Sequence, residues 1–264
     1  MFQQSEINQE AKISIKEYPK DGVQTEPKSN VLAMKLKFWF SFIRLKIIKL
    51  LKDILNYMPG RKHFFFKYSF LFEPPQLAYL GSSIYETKDV EGSIIEIGCA
   101  EGMTTVFLKK YMDFYDIHKE YVCIDTFSGF TKSDINYESQ KRKKDQDVLK
   151  IMFSINRKSW VDRTLKMNGI SDVKTYVGDI NVLDLKDINV DKISFALVDL
   201  DLYLPVLSAL EKFYPLLEEG GMIIVDDCTD HEYFDGAFQA YKVFCTKYSL
   251  PEKIVQERLG IIRK

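Results

Sequence analysis

The stretch FALVDLDLYLPVLSALEKFYPLLEEGGMIIVDD, Phe195–Asp227, decides the fold. It opens with an apolar run that ends in Asp199 and Asp201, and it closes with a second apolar run that ends in Asp226 and Asp227. Between them, YLPVLSALEKFYPLL spaces its apolar residues as a helix does, with Gly220-Gly221 read as the helix stop. Strands without polar alternation are buried on both faces, as in a parallel sheet covered by helices. A strand, a right-handed crossover helix and a parallel strand bring both strand ends to one edge of the sheet. Asp199, Asp226 and Asp227 are thereby predicted to converge. Clustered carboxylates repel and raise one another's pKa, and a divalent cation removes the conflict. With oxygen donors and neither histidine nor cysteine, the set suits Mg²⁺, with Mn²⁺ and Ca²⁺ as other hard cations of that kind. The alternative is that these acids cap loops in water.

Outward from this unit, strand-like and helical runs alternate from residue 93 to the end of the chain. SIIEIG, YVCID, VKTYVG, ISFALVD, MIIVDD, KIVQ and GIIRK read as strands, and residues 102–116, 157–168, 204–217 and 232–248 as helices. The expected fold is α/β and Rossmann-like: a mostly parallel seven-stranded sheet with helices on both faces. The last two strands leave no room for a crossover helix and are expected to pair antiparallel. The polar segment 128–155 interrupts the alternation and reads as a lid or mobile loop, with Lys141–Lys144 as a solvated face.

The first strand leads into EIGCAEGMTT, Glu96–Thr105. Gly98 and Gly102 flank a turn that opens onto a helix N-terminus, where backbone and ligand can approach closely. A dinucleotide fold wants G-x-G-x-x-G there to hold a pyrophosphate. This loop is G-x-x-x-G, and Glu96 and Glu101 beside it would repel a pyrophosphate. They suit a ligand with a positive centre and an amino group, such as S-adenosylmethionine. Asp125 ends the second strand 23 residues after Gly102, the usual place for an acid that accepts ribose hydroxyls. Asp179 follows the third strand, placed to approach an adenine.

Composition bounds the rest. The 264 residues are 46 % hydrophobic and 28 % charged with a net charge of −1, which offers no field for nucleic acid. Four scattered cysteines indicate buried thiols in a reducing compartment, so the expected location is cytoplasmic. Residues 1–30 read as a polar arm. Residues 31–57 form a basic amphipathic helix, which can pack on the domain, pair two copies in a homo-oligomer or lie peripherally on an anionic membrane. RKHFFFKYSFLF, residues 61–72, is aromatic enough to line a pocket or to plug the core. The expected division is 1–60, arm and helix, and 61–264, the α/β domain.

The segments GSIIEIGCAEGMTT, LVDLDLYLPVLSALEKFYPLLEEGGMIIVDDC and AFQAYKVF resemble the macrocin O-methyltransferase (TylF) family of class I methyltransferases. The shared pattern is D-x-D-x-Y, a helix, Y-P-x-L, a glycine pair and D-D. The resemblance implies an S-adenosylmethionine- and Mg²⁺-dependent O-methyltransferase acting on a sugar hydroxyl of a small-molecule or glycan acceptor. It implies Asp199, Asp226 and Asp227 as metal ligands, and Glu96, Gly98, Asp125 and Asp179 at the cofactor, beside Glu101 and Gly102. For the catalytic base the first choice is Asp199, ahead of Asp201 and His231. Two other readings of the layout are an NAD-dependent oxidoreductase and a non-catalytic scaffold docking through helix 31–57.

Overall fold

The structure, a computed structural model, describes residues 28–59, 71–230 and 234–264. Residues 1–27 of the expected arm, nearly all of the aromatic segment 61–72 and His231 lie outside the described residues, and residues 28–30 of that arm are helical. The chain divides into two compact units, Met1–Leu51 and Lys52–Lys264. The described part of the first belongs to one helix, α1 (Lys28–Tyr57), whose last turn falls in the second.

The second unit runs α2 (Pro74–Glu86), β1 (Ser93–Ile97), α3 (Met103–Phe114), β2 (Tyr121–Asp125), α4 (Lys132–Arg142), α5 (Gln146–Ile151), α6 (Lys158–Met167) and β3 (Val173–Val177). It continues through β4 (Ile193–Val198), α7 (Tyr203–Leu216), β5 (Leu217–Val225), α8 (Gly236–Tyr248), β6 (Ile254–Val255) and β7 (Leu259–Arg263). The seven strands are ordered β3-β2-β1-β4-β5-β7-β6. The first five are parallel, and β7 pairs antiparallel with both β5 and β6, as expected for a terminal pair with no crossover helix. Every residue of β4 is buried, the burial that its unbroken apolar run predicts. One core packs Val206, Leu210 and Phe213 of α7 and Phe244 of α8 on one sheet face. The other packs Leu80 and Ile84 of α2, Val106 and Met112 of α3 and Val161 of α6 on the opposite face. The strand order reverses between β1 and β4. Ligands of open α/β sheets bind at such a switch point, beyond the carboxyl ends of the strands.

Two expectations give way. Gly220-Gly221 does not cap a helix: α7 ends at Leu216, and the glycines lie inside β5. Between the pairs Ile193↔Leu217 and Phe195↔Met222, β4 advances two residues and β5 five, so the glycines sit in a bulge. Gly220 takes a φ of 82°, and a Cβ on Gly221 would lie 2.8 Å from the Glu218 carbonyl oxygen.

Segment 128–155 is not an open loop either, because it carries α4 and α5. Glu138 on α4 is buried, accepts the Tyr203 N–H at the start of α7 (2.8 Å) and accepts Arg142 Nε (2.9 Å). The Arg142 and Lys144 side chains are mostly buried and both reach Asp235 just before α8, at 2.8 and 2.7 Å. The basic run is therefore tied in part to the domain.

Candidate active site

β4 and β5 end in register, with Val198 opposite Val225, and each next residue is an aspartate. The Asp199 N–H donates to Ile97 O and the Asp226 N–H to Val198 O, both at 2.9 Å, so the ladder itself fixes where these acids leave the sheet. Asp227 follows with a φ of 55°, which turns the chain. One oxygen from each of Asp199, Asp226 and Asp227 lies within 4.8 Å of the others. The three predicted ligands thus meet, each offering a carboxylate oxygen. This is a donor set that a hard divalent cation fits.

Burial, followed by the charges of Asp226, Asp201 and Asp227, holds the Asp199 carboxyl well above the usual range. Asp201 is raised in the same way, by burial and then by Asp227. Both keep some accessible surface, yet protein atoms ring them closely enough to withhold most of the water. Asp226 is 1 % exposed and is pushed up by burial to about 6.

Sequence reading misses the residue that makes this cluster tolerable without metal. Arg258, in the turn between β6 and β7, donates Nε to Asp226 Oδ1 at 2.6 Å and Nη2 to Asp226 Oδ2. The same Nη2 lies 3.1 Å from Asp227 Oδ1. Its guanidinium sits over the Phe72 ring, 5.4 Å from the centroid. Burial works against the Arg258 charge, but the hydrogen bonds to Asp226 and the surrounding acids outweigh it and raise the Arg258 pKa. On Asp226 burial outweighs the arginine, so the pair remains a strained compromise between desolvation and attraction. No motif announces Arg258. Only the antiparallel return of β7 beside β5 delivers it.

The glycine turn lies beside the acids. A Cβ on Gly98 would fall 1.7 Å from Asp199 O, so the β1 turn and the acid-bearing turn touch through backbone. Ala100 adopts a φ of 45°, unusual for a residue with a side chain. Two contacts hold it there: its N–H donates to Asp125 Oδ2 (2.9 Å), and its carbonyl accepts Asn156 Nδ2 (2.6 Å). Asp125 Oδ1 accepts the Phe127 N–H at 2.6 Å. Burial raises the Asp125 carboxyl, and these two N–H donors oppose it. Gly102 begins α3 with a φ of 77°, and a Cβ there would meet Val161 Cγ1 at 2.9 Å.

Glu96 is buried, and its Oε2 accepts the hydroxyls of Thr105 and Tyr121, each at 2.7 Å. That oxygen locks β1 to α3 and β2. Glu101 is half-exposed and paired with Lys52 Nζ at 2.5 Å. One residue on from Lys52, Asp53 accepts Trp160 Nε1 (2.9 Å) and pairs with Arg157 (2.7 Å). The last turn of α1 thus touches the glycine loop and α6, which sequence spacing gives no means to foresee. Asp179 Oδ1 accepts both the backbone N–H and the side-chain amide of Asn181, at 2.9 Å each. The same amide reaches buried Asp134 of α4 at 2.9 Å.

A glycine turn, an acid at the end of β2 and a carboxylate cluster at the switch point suit a sulfonium cofactor beside a divalent cation. The sequence matches the Macrocin-O-methyltransferase (TylF) family over residues 78–256. A comparison with curated proteins gives no match. Among solved structures, the O-methyltransferase NovP superposes with a TM-score of 0.61 at 16 % identity, covering 72 % of this chain and 79 % of that one. CalS11, a calicheamicin methyltransferase, gives a TM-score of 0.61 at 19 % identity and covers 94 % of this chain and 99 % of its own. At these identities the structures speak for the fold, and the family match carries the activity, which sets aside the oxidoreductase and scaffold readings. The chain is an S-adenosylmethionine-dependent O-methyltransferase and belongs to the macrocin O-methyltransferase (TylF) family.

Proposed function

We propose that the chain methylates a hydroxyl of a sugar, in a glycoside, a surface-polysaccharide precursor or a secondary metabolite, with Mg²⁺ held by Asp199, Asp226 and Asp227. The observation that carries this reading is the meeting of the three aspartate oxygens within 4.8 Å, in contact with the glycine turn through Gly98 and Asp199. Among structural neighbours, an apo form of CalS11 is described as a TDP-rhamnose 3'-O-methyltransferase. That description supports a sugar acceptor here.

S-adenosylmethionine supplies an electrophilic methyl group, and Mg²⁺ a Lewis acid that lowers the pKa of a bound hydroxyl. The chain's residues do the rest. Asp125, Asp179 and the backbone around Gly98, Glu101 and Gly102 bind the cofactor. Glu96 acts from beneath, by locking β1 to α3. Asp199, Asp226 and Asp227 would hold the cation. With Asp199 assigned to the cation, the proton falls to Asp201 in preference to Asp199, the first choice from sequence. Asp201 stands at a φ of 59° outside the three-oxygen cluster and beside Asp227, which leaves its carboxylate to take a proton.

The test is methyl transfer from S-adenosylmethionine to a panel of nucleotide sugars and glycosides, in EDTA and after restoring Mg²⁺. Turnover should collapse in EDTA, return with Mg²⁺ and be lost in Asp199→Asn. Undiminished turnover in EDTA would make the acids structural, and methylation of non-sugar hydroxyls alone would overturn the acceptor class.

A further inference from the structure

The first unit carries an exposed apolar surface. In α1, Trp39, Phe40, Ile47, Leu50 and Leu51 are 50 to 64 % exposed. At 3.6 residues per turn they fall, with Ile43, within an arc of about 120°. A helix of a globular protein turns such an arc inward. Here five of the six are exposed, and the arc is bordered by cations. Lys37 and Arg44 follow one edge and Lys46 the other, with Lys46 Nζ 4.6 Å from the Phe42 ring centroid. From Lys28 to Lys52 the sequence has seven basic residues and no acidic one. Trp39 and Phe40 meet edge to face at 5.8 Å at the N-terminal end of the arc. Among the described residues no helix is long and apolar enough to cross a membrane.

We infer that α1 is a docking helix for an anionic lipid surface, lying in the plane of the interface with the Trp39–Leu51 arc in the acyl boundary. Charge selects this occupant. An identical helix from a second copy would bring the same acid-free row of cations against itself, which repels. Anionic headgroups complement it, and lysine and arginine at the borders of an apolar arc extend their charged ends to headgroup level. Tryptophan favours that same depth. Each basic residue near such a surface strengthens binding by roughly five-fold.

The test uses the full chain in co-sedimentation with large vesicles, of phosphatidylcholine alone or with about one-third phosphatidylglycerol. Binding is expected to the anionic vesicles only and to fall as salt rises. The triple variant Lys37→Gln/Arg44→Gln/Lys46→Gln should weaken it by roughly five-fold per charge. Ile47→Asp/Leu50→Asp should abolish it. Light scattering on the same proteins reads the competing occupant. A dimer that Ile47→Asp/Leu50→Asp dissociates, with no vesicle binding by the wild type, would assign the face to a second copy and overturn the inference. Equal binding to both vesicle types, or binding unchanged in the triple variant, would overturn it too. The triple variant removes charge and leaves the apolar residues of the arc in place, so it keeps the test open if the aspartate variant misfolds.

Discussion

Arg258 grips Asp226 through two nitrogens and reaches Asp227 with one of them, so a fixed cation already sits among the acids that meet beyond β4 and β5. Fully ionised, the four aspartates outnumber the one guanidinium, so the site remains attractive to a divalent ion. Arg258 therefore balances the cluster when metal is absent and opposes metal when it arrives. Arg258→Met should lower the stability of the metal-free protein by about 1–3 kcal/mol, since a buried carboxylate loses its partner. It should also tighten Mg²⁺ binding by roughly tenfold, because a neighbouring positive charge is gone. Denaturant unfolding in EDTA and calorimetric Mg²⁺ titration read the two effects separately. Weaker Mg²⁺ binding in the variant would make Arg258 an organiser of the ligands instead of a competitor.

The same contact splits the ligands into two kinds. Asp226 answers the arginine, whereas Asp199 is raised chiefly by burial and its acidic neighbours. Asp199→Asn should therefore relieve repulsion and raise metal-free stability by about 0.5–1 kcal/mol. Asp226→Asn should gain less than Asp199→Asn, because it removes a carboxylate that burial penalises but also leaves Arg258 without its carboxylate. Melting temperatures in EDTA near neutral pH should rank Asp199→Asn above Asp226→Asn. An equal gain in both variants would mean that Arg258 contributes little to holding the cluster.

How much of this is legible in the chain depends on the range of the interaction. The runs SIIEI and ISFALV read as buried strands because burial on both faces leaves no other composition, and the wound topology then places Asp199 beside Asp226. Gly220-Gly221 is ambiguous, since a glycine pair marks a helix stop and a bulge equally well. Helix α4, KSDINYESQKR, carries one buried apolar residue, Ile135. Its order comes from Glu138 capping α7 some 65 residues later, a contact invisible to periodicity. Arg258 belongs to no motif, and Lys52 is one of seven basic residues from Lys28 to Lys52, with nothing in the spacing to single it out. Nothing but the fold brings them to Asp226 and Glu101.

The Ala100 turn offers a test of the cofactor loop. Asp125 and Asn156 hold Ala100 from its two polar ends. Asp125→Ala should weaken S-adenosylhomocysteine binding by about 1.5–3 kcal/mol through lost charge-assisted hydrogen bonds. Asn156→Ala, which leaves Asp125 intact and only frees the loop, should cost about 0.5–1.5 kcal/mol. Calorimetry on the folded variants checks the order. An Asn156→Ala loss equal to that of Asp125→Ala would shift the weight from the acid's own contacts to the shape of the loop.

Glu96 gives a pH signature away from the metal cluster. Burial raises its pKa, against the hydroxyls of Thr105 and Tyr121. The native state therefore holds this proton to higher pH than the unfolded chain does. Between the unfolded pKa and the raised folded one, the native state binds more protons, so stability falls as pH rises across that window. Glu96→Gln has no proton to lose there. Its melting temperature relative to wild type should thus climb as pH rises from about 4.5, and level off once native Glu96 is ionised. Thr105 and Tyr121 still find an acceptor in the amide oxygen of the substituted glutamine, so the variant keeps the lock between β1, α3 and β2. Paired thermal melts in EDTA across this range measure the difference directly. A difference constant with pH would show that Glu96 ionises as readily in the folded protein as in the unfolded chain, and that the Thr105 and Tyr121 hydroxyls fully offset its burial.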